Sequence, residues 1–263
     1  MNAPVRCLAI LTICFAFSIT GILAHQLFHD FIAAAADTIR SVAGLVGTLF
    51  AIVLGLLISS SYSAFNSHQA DFNTMATSLA NIDLLLKRFN EDSRKSRHSL
   101  SKIASSLKSR YWKKDSASHR ADIDYNIIAN DVDSIVDIIK NTEKLPSIST
   151  DDINAIRQFS NSFITTQSNI VRNLVNRVQS LLLLIVSGWA CLLFFLFGCL
   201  SSTNPFSLFI LFTGALAIAS ANFLILELTH PYHGLFRVSS ATLDLLTQAM
   251  HETPDTVAPY PFS

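Results

Sequence analysis

Hydrophobic positions along this chain follow two patterns. Four stretches are apolar all round and free of Asp, Glu, Lys and Arg: residues 7–28, 41–65, 178–200 and 205–226. Each meets the length of about 20 apolar residues that a helix needs to cross roughly 30 Å of hydrocarbon. Charge is what makes insertion costly, so four such runs predict four membrane-spanning helices. Between the second and third runs the apolar residues thin into stripes. Phe65, Phe72, Met75, Leu79, Ile82, Leu86 and Phe89 recur, with heptad-like steps of three and four after Phe72. No Gly or Pro interrupts residues 56–145. The second spanning helix is therefore expected to continue as one rod to about Phe89, residues 41–89 covering roughly 70 Å at 1.5 Å per residue.

The third spanning helix is expected to mirror it. Ser149-Thr150-Asp151-Asp152 reads as a cap with acidic residues in the first turn. Ile153, Ile156, Phe163, Ile170, Leu174 and Val178 then hold helical spacing into the apolar run, so this rod too is expected to be unbroken. Two shorter helices are predicted between the rods, over 99–113 (Leu100, Ile103, Leu107, Tyr111) and 122–141 (Ile123, Ile127, Val132, Ile135, Ile139). Residues 90–98 and 114–121 read as polar turns. After the fourth span, Pro231 and Gly234 force the chain out of helix. Ser239 or Ser240 can cap a short helix through Met250, and the last dozen residues, with three prolines, read as loose. No alternating strand pattern occurs. The expected fold is all-α: two spans in 1–65, a helical domain in 66–177, two spans in 178–229, and a tail in 230–263.

Composition supports this reading. Only 14% of the chain is charged, against roughly 25% in a soluble domain. Lys and Arg total 19, as do Asp and Glu, and 29 of these 38 charges lie in residues 66–177. A net charge of zero argues against a nucleic-acid binder. The first apolar run is longer than a signal-peptide core of about 7–15 residues, and Ile22 stands where a cleavage site needs a small residue. It is read as an uncleaved helix. Four crossings put both termini and the 66–177 domain on one side. Arg6, Arg172 and Arg177 flank the membrane there, while residues 29–40 opposite carry the single base Arg40. The positive-inside rule makes that side cytoplasmic, and the bilayer an inner (plasma) membrane.

Candidate chemistry is sparse. Gly47, Ala51, Gly55 and Ser59 repeat at four-residue spacing in the second span. Small residues let membrane helices approach closely, so this is either a packing face or a pore wall, with Thr48 and Ser59 among its polar lining. Glu227 ends the fourth span with His230 three residues on; an ionisable group at hydrocarbon depth suggests a proton or ion site, or a tie to the central domain. His25 and His29 are spaced to grip a metal but lack a third strong ligand beside them. Asp131, Asp133 and Asp137 lack the glycine of a calcium loop and read as a solvated face. Cys7, Cys14, Cys191 and Cys199 all lie in apolar runs and read as small buried residues. No phosphate loop, GxSxG elbow or HExxH is present, so neither an enzyme, a cofactor nor a metal is expected.

Two stretches resemble a known family. One runs from Gly44-Leu45-Val46-Gly47-Thr48-Leu49-Phe50 to Tyr62. The other is Glu227-Leu228-Thr229-His230-Pro231-Tyr232-His233-Gly234, followed by Leu235-Phe236-Arg237-Val238-Ser239. The chain resembles the bestrophin-like family of bacterial membrane proteins, whose tail carries a similar acidic, proline, aromatic and glycine block including the positions of Glu227, Pro231 and Gly234. Glutamate stands at 227 where aspartate is expected, and Tyr111-Trp112 resembles only loosely an acidic-aromatic pair of the family. The family name points to bestrophins, pentameric anion channels whose second membrane helix lines the pore. The resemblance implies an oligomeric channel for small anions by fold-level analogy. The competing expectation is a non-conducting scaffold or sensor whose helical domain binds a cytoplasmic partner.

Overall fold

The computed structural model describes residues 3–112, 125–145, 148–175, 180–201, 203–229 and 236–251. Among these, every regular element is helical. In chain order they are α1 (Ala3–Leu27), α2 (His29–Lys87), a 3-10 turn (Asn90–Ser93), α3 (Arg94–Trp112), α4 (Tyr125–Thr142), α5 (Thr150–Val175), α6 (Ser180–Leu200), α7 (Pro205–Leu228) and α8 (Ala241–His251). Four of these, α1, α2, α6 and α7, contain windows long and apolar enough to cross a membrane.

α2 is one unbroken helix of 59 residues, about 89 Å at 1.5 Å per residue. It passes through 65–72 without a break, as the heptad stripe requires. It also begins at His29, so residues 29–40 are helical and only Phe28 separates α2 from α1. The continuity expected of the third rod falls on residues 176–179, outside the described residues, as does the whole of the turn expected over 114–121. The turn expected over 90–98 is shorter: its second half is the first turn of α3.

The helix ends follow side-chain chemistry. Ser149 Oγ accepts from the Asp152 amide at 3.0 Å and donates to the Asp152 carboxylate at 2.7 Å, a reciprocal cap on α5. Asn204 accepts from the Phe206 amide and Pro205 opens α7, where a missing N–H costs nothing. Both expected serines serve α8. Ser239 Oγ accepts from the Ala241 amide, and Ser240 Oγ donates to Asp244.

The chain divides into two compact units. One draws on Met1–Phe65 and Arg177–Arg237, the other on Asn66–Asn176 and Val238–Ser263. In the first, α1 packs on α6 and α7. Its core gathers Cys14 and Ile22 of α1, Phe50 and Leu57 of α2, Val186, Ala190 and Phe194 of α6, and Leu211, Ala215 and Ile225 of α7. Large apolar side chains such as Leu8, Phe17, Leu184 and Phe209 stay exposed, the arrangement expected of helices solvated by lipid.

In the second unit, Phe72, Met75, Leu79, Ile82 and Leu86 of α2 are fully buried, with Leu100 and Leu107 of α3, Ile135 of α4, and Ile156, Phe163 and Ile170 of α5. α3 is held by two buried ion pairs. Arg97 reaches Asp83 at 2.8 Å, and Arg110 reaches Asp131 at 2.9 Å. Asp131 also accepts from the buried Gln167 amide at 2.6 Å. The solvated face expected of Asp131, Asp133 and Asp137 is thus corrected at its first member: Asp131 lies inside the bundle because Arg110 and Gln167 satisfy its charge, while Asp133 and Asp137 are exposed.

Candidate functional site

The spanning part of α2 presents three faces, read off at 100° per residue. Ala43, Phe50, Leu57 and Ser61 are buried in the first unit. Leu45, Leu49, Ile52 and Leu56 form an exposed apolar stripe about 130° away. The third face, on the other flank, carries Gly44, Thr48, Ala51, Gly55 and Ser59, all exposed. A Cβ added at Gly44 or Gly55 would meet nothing within 4 Å. Gly47 sits at the margin of the packed face, half-buried, where a Cβ would touch the Leu193 side chain at 3.9 Å. Most of the small-residue repeat is therefore uncovered by its own protomer. The face carries little charge or hydrogen-bonding power. The Thr48 hydroxyl donates to the Gly44 carbonyl at 2.9 Å, leaving an acceptor outward.

Close helix approach occurs elsewhere, between α1 and α6. A Cβ at Gly21 would collide with the Phe195 carbonyl oxygen and lie 2.9 Å from the Cys199 amide nitrogen. One at Gly198 would collide with the Ser18 carbonyl oxygen. The Cys14 and Cys191 sulfurs are 4.0 Å apart, and Gln26 Nε2 donates to Thr203 at 3.1 Å. Each of these pairs, 14 with 191, 21 with 198 and 26 with 203, has the same offset of 177 residues. The two helices thus run parallel and in register. Sequence reasoning missed this seam. Its signal is Cys14, Ser18 and Gly21 at steps of four and three, matched by Cys191 and Gly198 seven apart.

Glu227 is buried and within electrostatic reach of Cys7. His230, Pro231 and Gly234 lie outside the described residues. Past them, the second unit holds the tail firmly. Trp112 Nε1 donates to the Val238 carbonyl at 3.0 Å, the Ser239 amide donates to Gln69, and Thr242 donates to Asn73. Lys108 pairs with Asp244 at 2.6 Å. That partner and the Ser240 hydroxyl hold the Asp244 carboxyl below its ordinary value. Phe72 packs edge-on against both Tyr111 and Trp112, and burial pushes the Tyr111 hydroxyl up to about 12. Between α3 and α8 lies an open cleft of about 580 Å³ lined by Ser105, Lys108, Ser109, Trp112, Asp244, Thr247 and Gln248. His25 and His29 stack edge-to-face with centroids 5.1 Å apart. Among the described residues no three metal-ligating side chains come together.

A family profile described as the Bestrophin-like domain matches residues 7–243. Solved structures of a bacterial bestrophin homologue from Klebsiella pneumoniae share the fold. One mutant form is 15% identical and matches with a TM-score of 0.73 over 95% of this chain and 97% of that one. A second mutant is 15% identical with a TM-score of 0.71, covering 93% and 97%. A structure of the homologue phased on zinc is 16% identical with a TM-score of 0.67, covering 92% of this chain and 96% of that one. No curated protein matches the chain.

Proposed function

The chain belongs to the bestrophin-like family, and on that premise we propose that it assembles as a homo-oligomeric ion channel for small anions, with the small-residue face of α2 lining the pore. It is a membrane protein by family and by its apolar helices. The observation that carries the reading is the third face of α2. Gly44, Thr48, Ala51, Gly55 and Ser59 form an uncovered strip in a helix whose other two faces are accounted for by core packing and by a lipid-compatible leucine stripe. Small side chains leave a lumen open when several copies surround an axis. Uncharged walls hold an ion weakly enough to let it leave. No acidic residue lies in 41–65 to repel anions. The same strip offers no basic residue to concentrate them, so selectivity rests on dipoles and on whatever charge lies at the pore mouths.

Four crossings with cytoplasmic termini and a cytoplasmic 66–177 domain complete the proposal. The parallel run of α1 and α6 supports it. Two spans pointing the same way require the chain to return once between them, and α2 is the spanning helix available. The basic residues Arg6, Arg172 and Arg177 set the cytoplasmic side. Glu227, with His230, Pro231 and Gly234, is read as the joint between the fourth span and the tail.

The test is current through bilayers containing purified protein, compared with Gly55→Leu. Because a Cβ at 55 would meet nothing within 4 Å in the protomer, this variant should fold normally. Narrowing the lumen should cut conductance about tenfold or more while the protein remains oligomeric. A silent wild type under varied pH, calcium and voltage would favour the scaffold. Unchanged conductance in the mutant would remove α2 from the pore wall.

A further inference from the structure

Cys14 and Cys191 are far apart in sequence, yet their sulfurs are 4.0 Å apart across the α1–α6 seam. Among the described residues no other two thiols come so close, and all four cysteines are free. Their spacing is set by main chain. Two helical turns further on, Gly21 and Gly198 bring the backbones into direct contact in the same register. The sulfurs need to close by about 2 Å to reach the 2.05 Å of a disulfide, a movement on the scale of side-chain rotation. Cys14 is fully buried and Cys191 half-buried, on a helix whose neighbouring Leu184, Leu192 and Phe197 are exposed to the apolar side.

We propose that Cys14 and Cys191 are an oxidation-sensitive pair that a membrane-partitioning organic hydroperoxide closes into a disulfide, tying α1 covalently to α6. Cys191 Sγ attacks the terminal oxygen of the hydroperoxide. An S–O bond forms, the O–O bond breaks, and the departing alkoxide takes the thiol proton to leave as an alcohol. Cys14 Sγ then attacks the Cys191 sulfenic acid. The S–S bond forms, the S–O bond breaks, and hydroxide leaves as water with the Cys14 proton. Two thiols and one hydroperoxide become one disulfide, one alcohol and one water. No charge is left in the hydrocarbon. Apolar surroundings disfavour the thiolate and slow attack on any oxidant; a lipid-soluble hydroperoxide offsets this by concentrating at the depth of the sulfurs, where hydrogen peroxide partitions poorly.

The full chain in liposomes, treated with cumene hydroperoxide or with hydrogen peroxide, tests this by mass spectrometry after alkylation of the remaining thiols. The expected product is about 2 Da lighter than the reduced chain before alkylation, takes up two alkyl groups where the reduced chain takes four, and yields a linked Cys14–Cys191 peptide, with Cys7 and Cys199 alkylated. It should form at least tenfold faster with cumene hydroperoxide. Cys191→Ala should abolish it, and Cys7→Ala should leave it unchanged. No linked peptide, sulfinic acid at either sulfur in place of the link, oxidation of Cys7 and Cys199 at the same rate, or equal rates with the two oxidants would each overturn the proposal. The wild-type peptide map decides the matter even if the Cys191 variant fails to fold.

Discussion

Gly21 and Gly198 show why a single methyl group matters in a membrane bundle. Each stands where a Cβ would run into the backbone of the facing helix, which cannot move aside as a flexible side chain can. Gly21→Ala or Gly198→Ala should lower stability by about 1–3 kcal/mol or more through overpacking. Gly44→Ala, at an open position, should leave the melting temperature in detergent unchanged or slightly raised, because alanine is the better helix former. Equal melts for Gly21→Ala and Gly44→Ala would contradict the seam. The ion pairs divide in the same way. Asp83 keeps 8% of its side chain exposed, so Arg97→Ala strands a buried carboxylate and should cost about 3–5 kcal/mol. Arg40→Ala breaks an exposed pair with Asp37 and should not shift the melt. The sequence does not distinguish these cases. Gly21 and Gly55 are both glycines in apolar helices, and packing faces share their composition with pore walls. Only the arrangement of neighbouring helices shows which one is enclosed.

The individual helices were largely legible. The stripe from Phe72 to Leu86 and the lack of Gly and Pro over 56–145 point to the extension of α2 beyond its apolar run. Its start at His29 departs from the expectation of a spanning helix beginning near residue 41, with residues 29–40 on the far face. The run Ala33 to Ala36 is strongly helix-forming and no breaker follows it, so the signal was present. The burial of Asp131 is not legible in the sequence, because its partners Arg110 and Gln167 are distant along the chain. The short α8 was anticipated from its serine cap, but not its anchoring by Trp112, Lys108, Gln69 and Asn73. That anchoring has a pH dependence. Lys108 and Ser240 depress the Asp244 carboxyl, so the stability it contributes is present above the ordinary carboxylate value and is lost as pH falls through the depressed folded value. In a Trp189→Phe background, Trp112 emission should shift to the red across that acid range as α8 loosens. Lys108→Met should move the step to higher pH. An emission maximum that ignores both acid and the substitution would mean the ion pair does not help hold α8.

The spanning part of α2 has three faces, and a single protomer covers one of them. The α1–α6 seam is closed by backbone contact, so it is a poor candidate for a lumen. The small-residue face is open, so further copies of the chain can complete it around an axis. Adjacent residues on α2 lie about 100° apart, which lets neighbours in sequence report different surroundings. Ala51→Cys lies on the small-residue face and Ile52→Cys on the leucine stripe, and both positions are exposed in the protomer. The most direct measurement is anion current through each variant before and after a charged, water-soluble thiol reagent, with the wild-type chain reporting the background from its own four cysteines. The account predicts that current through Ala51→Cys falls by more than half on modification while Ile52→Cys and the wild type are unaffected. Block at Ile52→Cys with none at Ala51→Cys would contradict it.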